Sequence, residues 1–124
     1  MGLARTVAAV FGAVYLLVGI LGFVLVSGGE GVLFGLFPVN ALHNIVHVLL
    51  GAILLYGSMS FAAAVQTTRG VGAVLIILGI LGFITPDGFG LVPLDGNDIW
   101  LHLASGVILL ATGFMATDDA VSTV

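Results

Sequence analysis

Residues 12–24 read GAVYLLVGILGFV, and residues 72–84 read GAVLIILGILGFI. The two strings agree at eight of thirteen positions and carry no charge. The similarity extends outward from this pair. FGLFPVNALHNIVHVLLGAILL (34–55) and FGLVPLDGNDIWLHLASGVILL (89–110) agree at nine of twenty-two positions. Apolar composition alone aligns Leu with Leu, but it does not readily bring Pro38/Pro93, His47/His102 and Gly51/Gly106 to one shared offset. The chain therefore reads as a tandem duplication of one unit, and a duplicated unit repeats its supersecondary structure.

Each unit has to live in lipid. Of 124 residues, 60% are hydrophobic and 6% are charged, whereas a soluble domain carries roughly 25% charged residues. The uncharged run from Thr6 to Gly29 reaches the roughly 20 residues that a helix needs to cross a bilayer. A short basic start before an apolar run also fits a cleaved signal peptide. The same run recurs in mid-chain, however, so the first is expected to be a retained span. Cysteine is absent, which excludes disulfides and thiolate metal sites. With Arg5 and Arg69 as the only cations, no basic nucleic-acid face exists.

The expected fold is an all-α membrane protein of four transmembrane helices, over about 4–27, 41–63, 67–85 and 97–116. They form two tandem hairpins within one domain covering 1–124: repeat one over about 4–63, repeat two over about 67–116, and a short polar tail over 117–124. Gly and Pro in 28–40 and 86–96 end helices and set turns. Asn40 and Asn97 stand where N-caps belong. The GVLFGLF stretch is too short to span and is expected to lie at the interface or dip back against the bundle. An even number of spans per unit makes the repeats parallel, related by a pseudo-twofold axis along the membrane normal. Arg5 and Arg69 fall on one face and Glu30, Asp87, Asp95 and Asp98 on the other. The positive-inside rule then makes both termini cytoplasmic. Trp100 suits an interfacial anchor and Glu30 a solvated charge. Gly12, Gly19 and Gly22, with Gly72, Gly79 and Gly82, form small-residue stripes of the kind through which spans associate in lipid.

Chemistry concentrates in one place. Asn40, His43, Asn44 and His47 open the second helix, and Asp98 and His102 open the fourth. His43, His47 and Gly51 are spaced i, i+4, i+8 and share a helix face; Asp98, His102 and Gly106 repeat the stripe. His47 and His102 lie roughly 6–9 Å below the outer helix ends, where ionisable groups are costly and point to function. Four readings stand. The cluster is a hydrogen-bonded clasp between the repeats. Or His47 and His102 are axial ligands of a b-type haem, with Gly51 and Gly106 leaving room for the ring. Or His43, His47, Asp98 and His102 bind a divalent metal. Or the titratable groups handle protons or a quinone. Tyr15 and Tyr56 need hydrogen-bond partners wherever they face the bundle.

The run NALHNIVHVLLG at 40–51, the opening ART…LLVGILGF and the stretch GLVPLDGNDIWLHL resemble the domain-of-unknown-function family 4383, small four-helix membrane proteins of prokaryotes. The resemblance covers about Ala4 to Phe114. It implies a prokaryotic plasma-membrane location and four spans, and brings no activity. Asn40, His43, Asn44, His47, Gly51 and His102 are the positions that carry it, and the short acidic tail after Met115 departs from longer tails in the family. No nucleophile–base pair, phosphate loop or nucleotide-binding motif is present. The expected role is therefore a non-enzymatic structural or accessory subunit, in a homo-oligomer or a larger membrane complex. The alternative is a haem- or metal-binding protein using His47 and His102.

Overall fold

The computed structural model describes residues 2–117, so nearly all of the polar tail lies outside the described residues. The chain folds into four helices: α1 (Leu3–Leu25), α2 (Ala41–Gly57), α3 (Phe61–Ile84) and α4 (Asn97–Met115). Helices α1, α3 and α4 are long and apolar enough to cross a membrane. At roughly 1.5 Å per residue, the 17 residues of α2 reach about 25 Å, short of the ~30 Å hydrocarbon core.

Successive helices pair as antiparallel hairpins, α1 on α2 and α3 on α4. Glycine sets both contacts. A Cβ built on Gly12 would stand 2.9 Å from the Gly51 carbonyl oxygen and 2.8 Å from the Leu55 nitrogen. On Gly72 it would stand 2.9 Å from the Gly106 oxygen and 2.7 Å from the Leu110 nitrogen. Gly19 and Gly79 approach Val48 and Leu103 in the same manner. Lipid supplies no hydrophobic drive between helices, so this backbone approach and its dispersion contacts hold each hairpin together. The stripes are thus used inside the hairpins, and the outer faces carry exposed Leu17, Ile20, Ile53, Ile77, Ile80 and Ile108. Between hairpins, α2 packs on α3, and α1 on α3 and α4. Tyr15, Leu54, Leu75 and Leu109, each at most 1% exposed, fill the interior towards the arginine end together with Ala4, Ala8 and Ala64.

Three boundaries differ from the sequence reading. α2 stops at Gly57 instead of near 63, and α3 begins at Phe61 instead of near 67. Thr67 of α3 presses against Gly57 where a side chain would otherwise stand. The Ser60 hydroxyl then caps the new helix by accepting from the Ala63 nitrogen at 3.2 Å. In the first loop, Gly31–Leu33 (β1) and Phe37–Val39 (β2) form a small antiparallel hairpin, with Gly31 opposite Val39 and Leu33 opposite Phe37. Its turn needs left-handed backbone at two successive residues, Phe34 (φ 56°) and Gly35 (φ 68°). Leu33 and Val39 fold inward against Val26, Val18 and Leu21. Finally, the N-cap of α4 is Gly96, not Asn97. The Asn97 side chain instead donates to the Leu36 carbonyl of the other loop at 3.1 Å.

Candidate metal centre

The loops set the site. The Asn40 carboxamide oxygen accepts from the His43 backbone nitrogen at 2.8 Å and so starts α2. Its amide donates to the Leu91 carbonyl at 2.8 Å. Together with the Asn97–Leu36 bond, this ties each loop to the other and fixes the starts of α2 and α4 relative to one another. Those two helices are not a closely packed pair. They meet through their histidines across the middle of the bundle.

There His43 Nε2 lies 3.1 Å from His47 Nε2, and His47 Nε2 lies 3.5 Å from His102 Nε2. One nitrogen from each ring falls within a 4.8 Å cluster. Asp98 Oδ2 is 3.8 Å from His43 Nε2. His43, His47, Asp98 and His102 are each at most 2% exposed. The rings stand nearly perpendicular, His43 to His47 at 75° and His47 to His102 at 90°. Tyr15 closes the far side, edge-on to His47 with ring centroids 5.3 Å apart, and its hydroxyl neighbours Ser105.

The Nε2 atoms approach one another at hydrogen-bonding distance, but the rest of the cluster stays unsatisfied. Among the described residues, the Nδ1 atoms of all three histidines, both oxygens of Asp98 and the Tyr15 hydroxyl are buried with no hydrogen bond of good geometry. The Pro38 backbone neighbours His43 as a contact too loose to count as one. A buried carboxylate without a donor is among the costliest groups a protein interior holds. A cation held among the three Nε2 atoms would offset part of that cost through its attraction for Asp98. Two nitrogens on a tetrahedral zinc, with bonds of about 2.0–2.1 Å, lie roughly 3.3–3.4 Å apart. Two of the three nitrogen pairs, at 3.1 and 3.5 Å, bracket that spacing, and all three nitrogens lie within 4.8 Å of one another.

The family model for the domain of unknown function DUF4383 matches residues 5–115. The chain belongs to this family. No curated protein and no solved structure matches it.

In this DUF4383 chain, three of the four residues grouped from their spacing, His43, His47 and His102, bring a ring nitrogen each into one cluster, while Asp98 stands beside it, 3.8 Å from His43. The wider polar cluster does not stay whole. Asn40 works as cap and loop tie, and Asn44 points to the first loop, donating to the Gly29 carbonyl at 3.0 Å and filling the notch beside Gly22. The haem arrangement does not fit. The room reserved beside Gly51 and Gly106 is taken by backbone: a Cβ on Gly51 would stand 2.7 Å from the Gly12 oxygen, and one on Gly106 2.8 Å from the Gly72 oxygen. The His47 and His102 Nε2 atoms also stand only 3.5 Å apart, with His43 Nε2 3.1 Å from His47, which leaves no slot between them for a flat ring. Tyr15 and Ser105 border the site without having been singled out for it. The one sequence signal for Tyr15 is that it stands opposite Leu75 when 12–24 is aligned with 72–84, a polar-for-apolar difference between two otherwise similar strings.

Proposed function

We propose that this DUF4383 chain is a multi-pass protein of the prokaryotic plasma membrane that binds one divalent transition metal through His43, His47, His102 and Asp98. The observation that carries the reading is the convergence of three buried imidazole nitrogens beside a carboxylate that has no other partner. Three clustered imidazole nitrogens suit zinc first among the common ions, with Asp98, 3.8 Å from His43, the nearest carboxylate for a fourth position.

The scaffold around it is a tandem repeat with a pseudo-twofold axis along the membrane normal, forming one domain. Its support is that aligned residues recur in equivalent contacts: Gly12 on Gly51 and Gly72 on Gly106, and left-handed backbone at both Phe34 and Phe89. Both termini face the cytoplasm and the metal lies towards the outside. Arg5 and Arg69 stand at the opposite end from the loops that carry Glu30, Asp87 and Asp95, as the positive-inside rule asks.

The second reading is a metal-free clasp in a structural or accessory subunit. It is favoured by the 3.1 Å approach of His43 to His47, which is itself hydrogen-bonding distance. The glycine stripes no longer argue for oligomer packing, since they are spent within the hairpins. Elemental analysis of protein purified in mild detergent separates the readings, together with a cobalt titration followed by visible absorption. The metal reading expects one equivalent of metal per chain, the absorption bands of tetrahedral cobalt, and release in acid as protons take the imidazole lone pairs. A folded protein that takes up neither zinc nor cobalt sinks it and leaves the clasp.

A further inference from the structure

The histidine centre has an open side. A cavity of about 180 Å³ lies between α2, α3 and the 85–96 loop, and His43, His47 and His102 form part of its wall. Asp98 is not in that wall, so the carboxylate and the cavity approach the histidines from different directions. The remaining lining is apolar, with Leu42 and Val46 from α2, Leu78 and Leu81 from α3, and Phe89 from the loop. Leu42 and Phe89 are 43% and 73% exposed, so the cavity edge reaches the apolar outside of the bundle.

Size and lining together restrict the occupant. An engineered cavity of about 150 Å³ holds benzene, so this one takes a single six-membered ring with small substituents. Apolar walls reject a charged head group, because nothing there replaces its water. The histidine wall rewards one oxygen, which either accepts from an imidazole N–H or adds as a fifth ligand to a bound metal. A long acyl chain meets neither restriction, having more length than the cavity holds and no oxygen where the histidines are.

We propose that the cavity admits from the bilayer an uncharged, oxygen-bearing ring compound of the phenol or quinone class and sets its oxygen against the histidine centre. The inference rests on the metal reading for the acceptor of that oxygen, while the shape of the cavity is independent of it.

The test uses the full chain, zinc-loaded in lipid nanodiscs, and a benzoquinone carrying a photoreactive diazirine. Adducts are mapped by mass spectrometry with and without excess tetramethylbenzoquinone, and metal is measured in the same samples. Labelling is expected to concentrate within residues 42–47 and 78–92 and to fall at least tenfold with competitor. Leu78→Trp, which fills the cavity from a residue outside the proposed ligand set, is expected to abolish the competed labelling and keep the zinc. Val46→Phe repeats the test should Leu78→Trp lose its metal or its fold. Labelling spread evenly over the lipid-facing helices, or unchanged by competitor, overturns the proposal. Displacement by a fatty acid as effective as by the quinone overturns the ring class. Competed labelling of a chain that binds no metal supports the cavity and removes the metal reading beneath it.

Discussion

The two hairpins share their packing and differ in their chemistry. Gly12 meets Gly51 as Gly72 meets Gly106, and Gly19 meets Val48 as Gly79 meets Leu103. Leu54 and Leu109 are both fully buried, as are Ala8 and Thr68 at another aligned pair. The only non-glycine residues with left-handed backbone among the described residues are the aligned Phe34 and Phe89, at φ 56° and 61°. Yet His43 in the first hairpin aligns with Asp98 in the second, Tyr15 with Leu75, and Asn44 with Ile99. Packing between two helices has one good solution, a small residue at each crossing height, and both halves keep it. The proposed donor set uses unlike residues at these aligned positions, and the differences leave the glycine seams undisturbed.

The largest expected effect tests what the halves share. His47→Gln and His102→Gln each remove one proposed ligand from an aligned position, and under the metal reading both are expected to bring bound metal from one equivalent to near zero. Metal content after desalting reads this directly. If only one of the pair matters, the two halves do not contribute equally to one centre.

The next effect tests what they do not share. Asp98→Asn removes the anionic donor. Loss of a mere supporting group around a metal costs roughly 10–100-fold in affinity, and loss of this direct donor is expected to cost at least as much. Asp98→His copies the first hairpin's residue into the second and is expected to stay within about tenfold of the parent. Competition with a chromophoric chelator measures both. An Asp98→Asn chain with unchanged affinity would remove the carboxylate from the site and leave three histidines.

Third come the seams. A Cβ on Gly106 would meet the Gly72 oxygen at 2.8 Å and the Ile76 nitrogen at 2.9 Å, and one on Gly51 meets the backbone of Leu16 still more closely. Backbone cannot rotate away. Gly51→Ala and Gly106→Ala are therefore each expected to cost about 1–3 kcal/mol, the usual cost of overpacking, with Gly51→Ala the larger. Unfolding in mixed detergent micelles reports the difference. A cost confined to one hairpin would mean that the other tolerates a wider helix separation.

Composition and the glycine spacing made the four helices legible, because a span in lipid announces itself by length and lack of charge. The turn at 58–60 was not legible, since Gly57 reads as one more packing glycine and 61–63 (FAA) continues an apolar helix without a break. The β-hairpin was hidden for a related reason: GVLFGLF has no polar alternation, and its turn depends on a phenylalanine in left-handed backbone that no propensity favours. At the site, His43, His47, Asp98 and His102 stood out as polar groups at membrane depth. Their convergence was out of reach, because it depends on α2 and α4 lying across the bundle from each other, which loop lengths leave open. Tyr15 was passed over because one tyrosine in an apolar helix is ordinary until its partner is known.

The smallest expected effect lies at the other end of the bundle, where the hairpins are closed by the same device with one addition. Arg5 Nε donates to the Ser58 carbonyl at 2.8 Å at the end of α2, and Arg69 Nε donates to the Gly113 carbonyl at 2.8 Å near the end of α4. Each satisfies a carbonyl that the helix itself leaves open and places a cation at the negative end of the dipole. The hydrogen bond is worth about 0.5–1.5 kcal/mol. Arg69 also lies over the Phe114 ring, its Cζ 4.1 Å from the centroid, and such a contact adds about 0.5–1 kcal/mol at an exposed site. Arg69→Gln is therefore expected to destabilise more than Arg5→Gln by that margin, and Phe114→Leu to remove the excess by itself. Equal losses from the two arginines would show that the aromatic contact contributes nothing and that both hairpins are closed by the carbonyl bond alone.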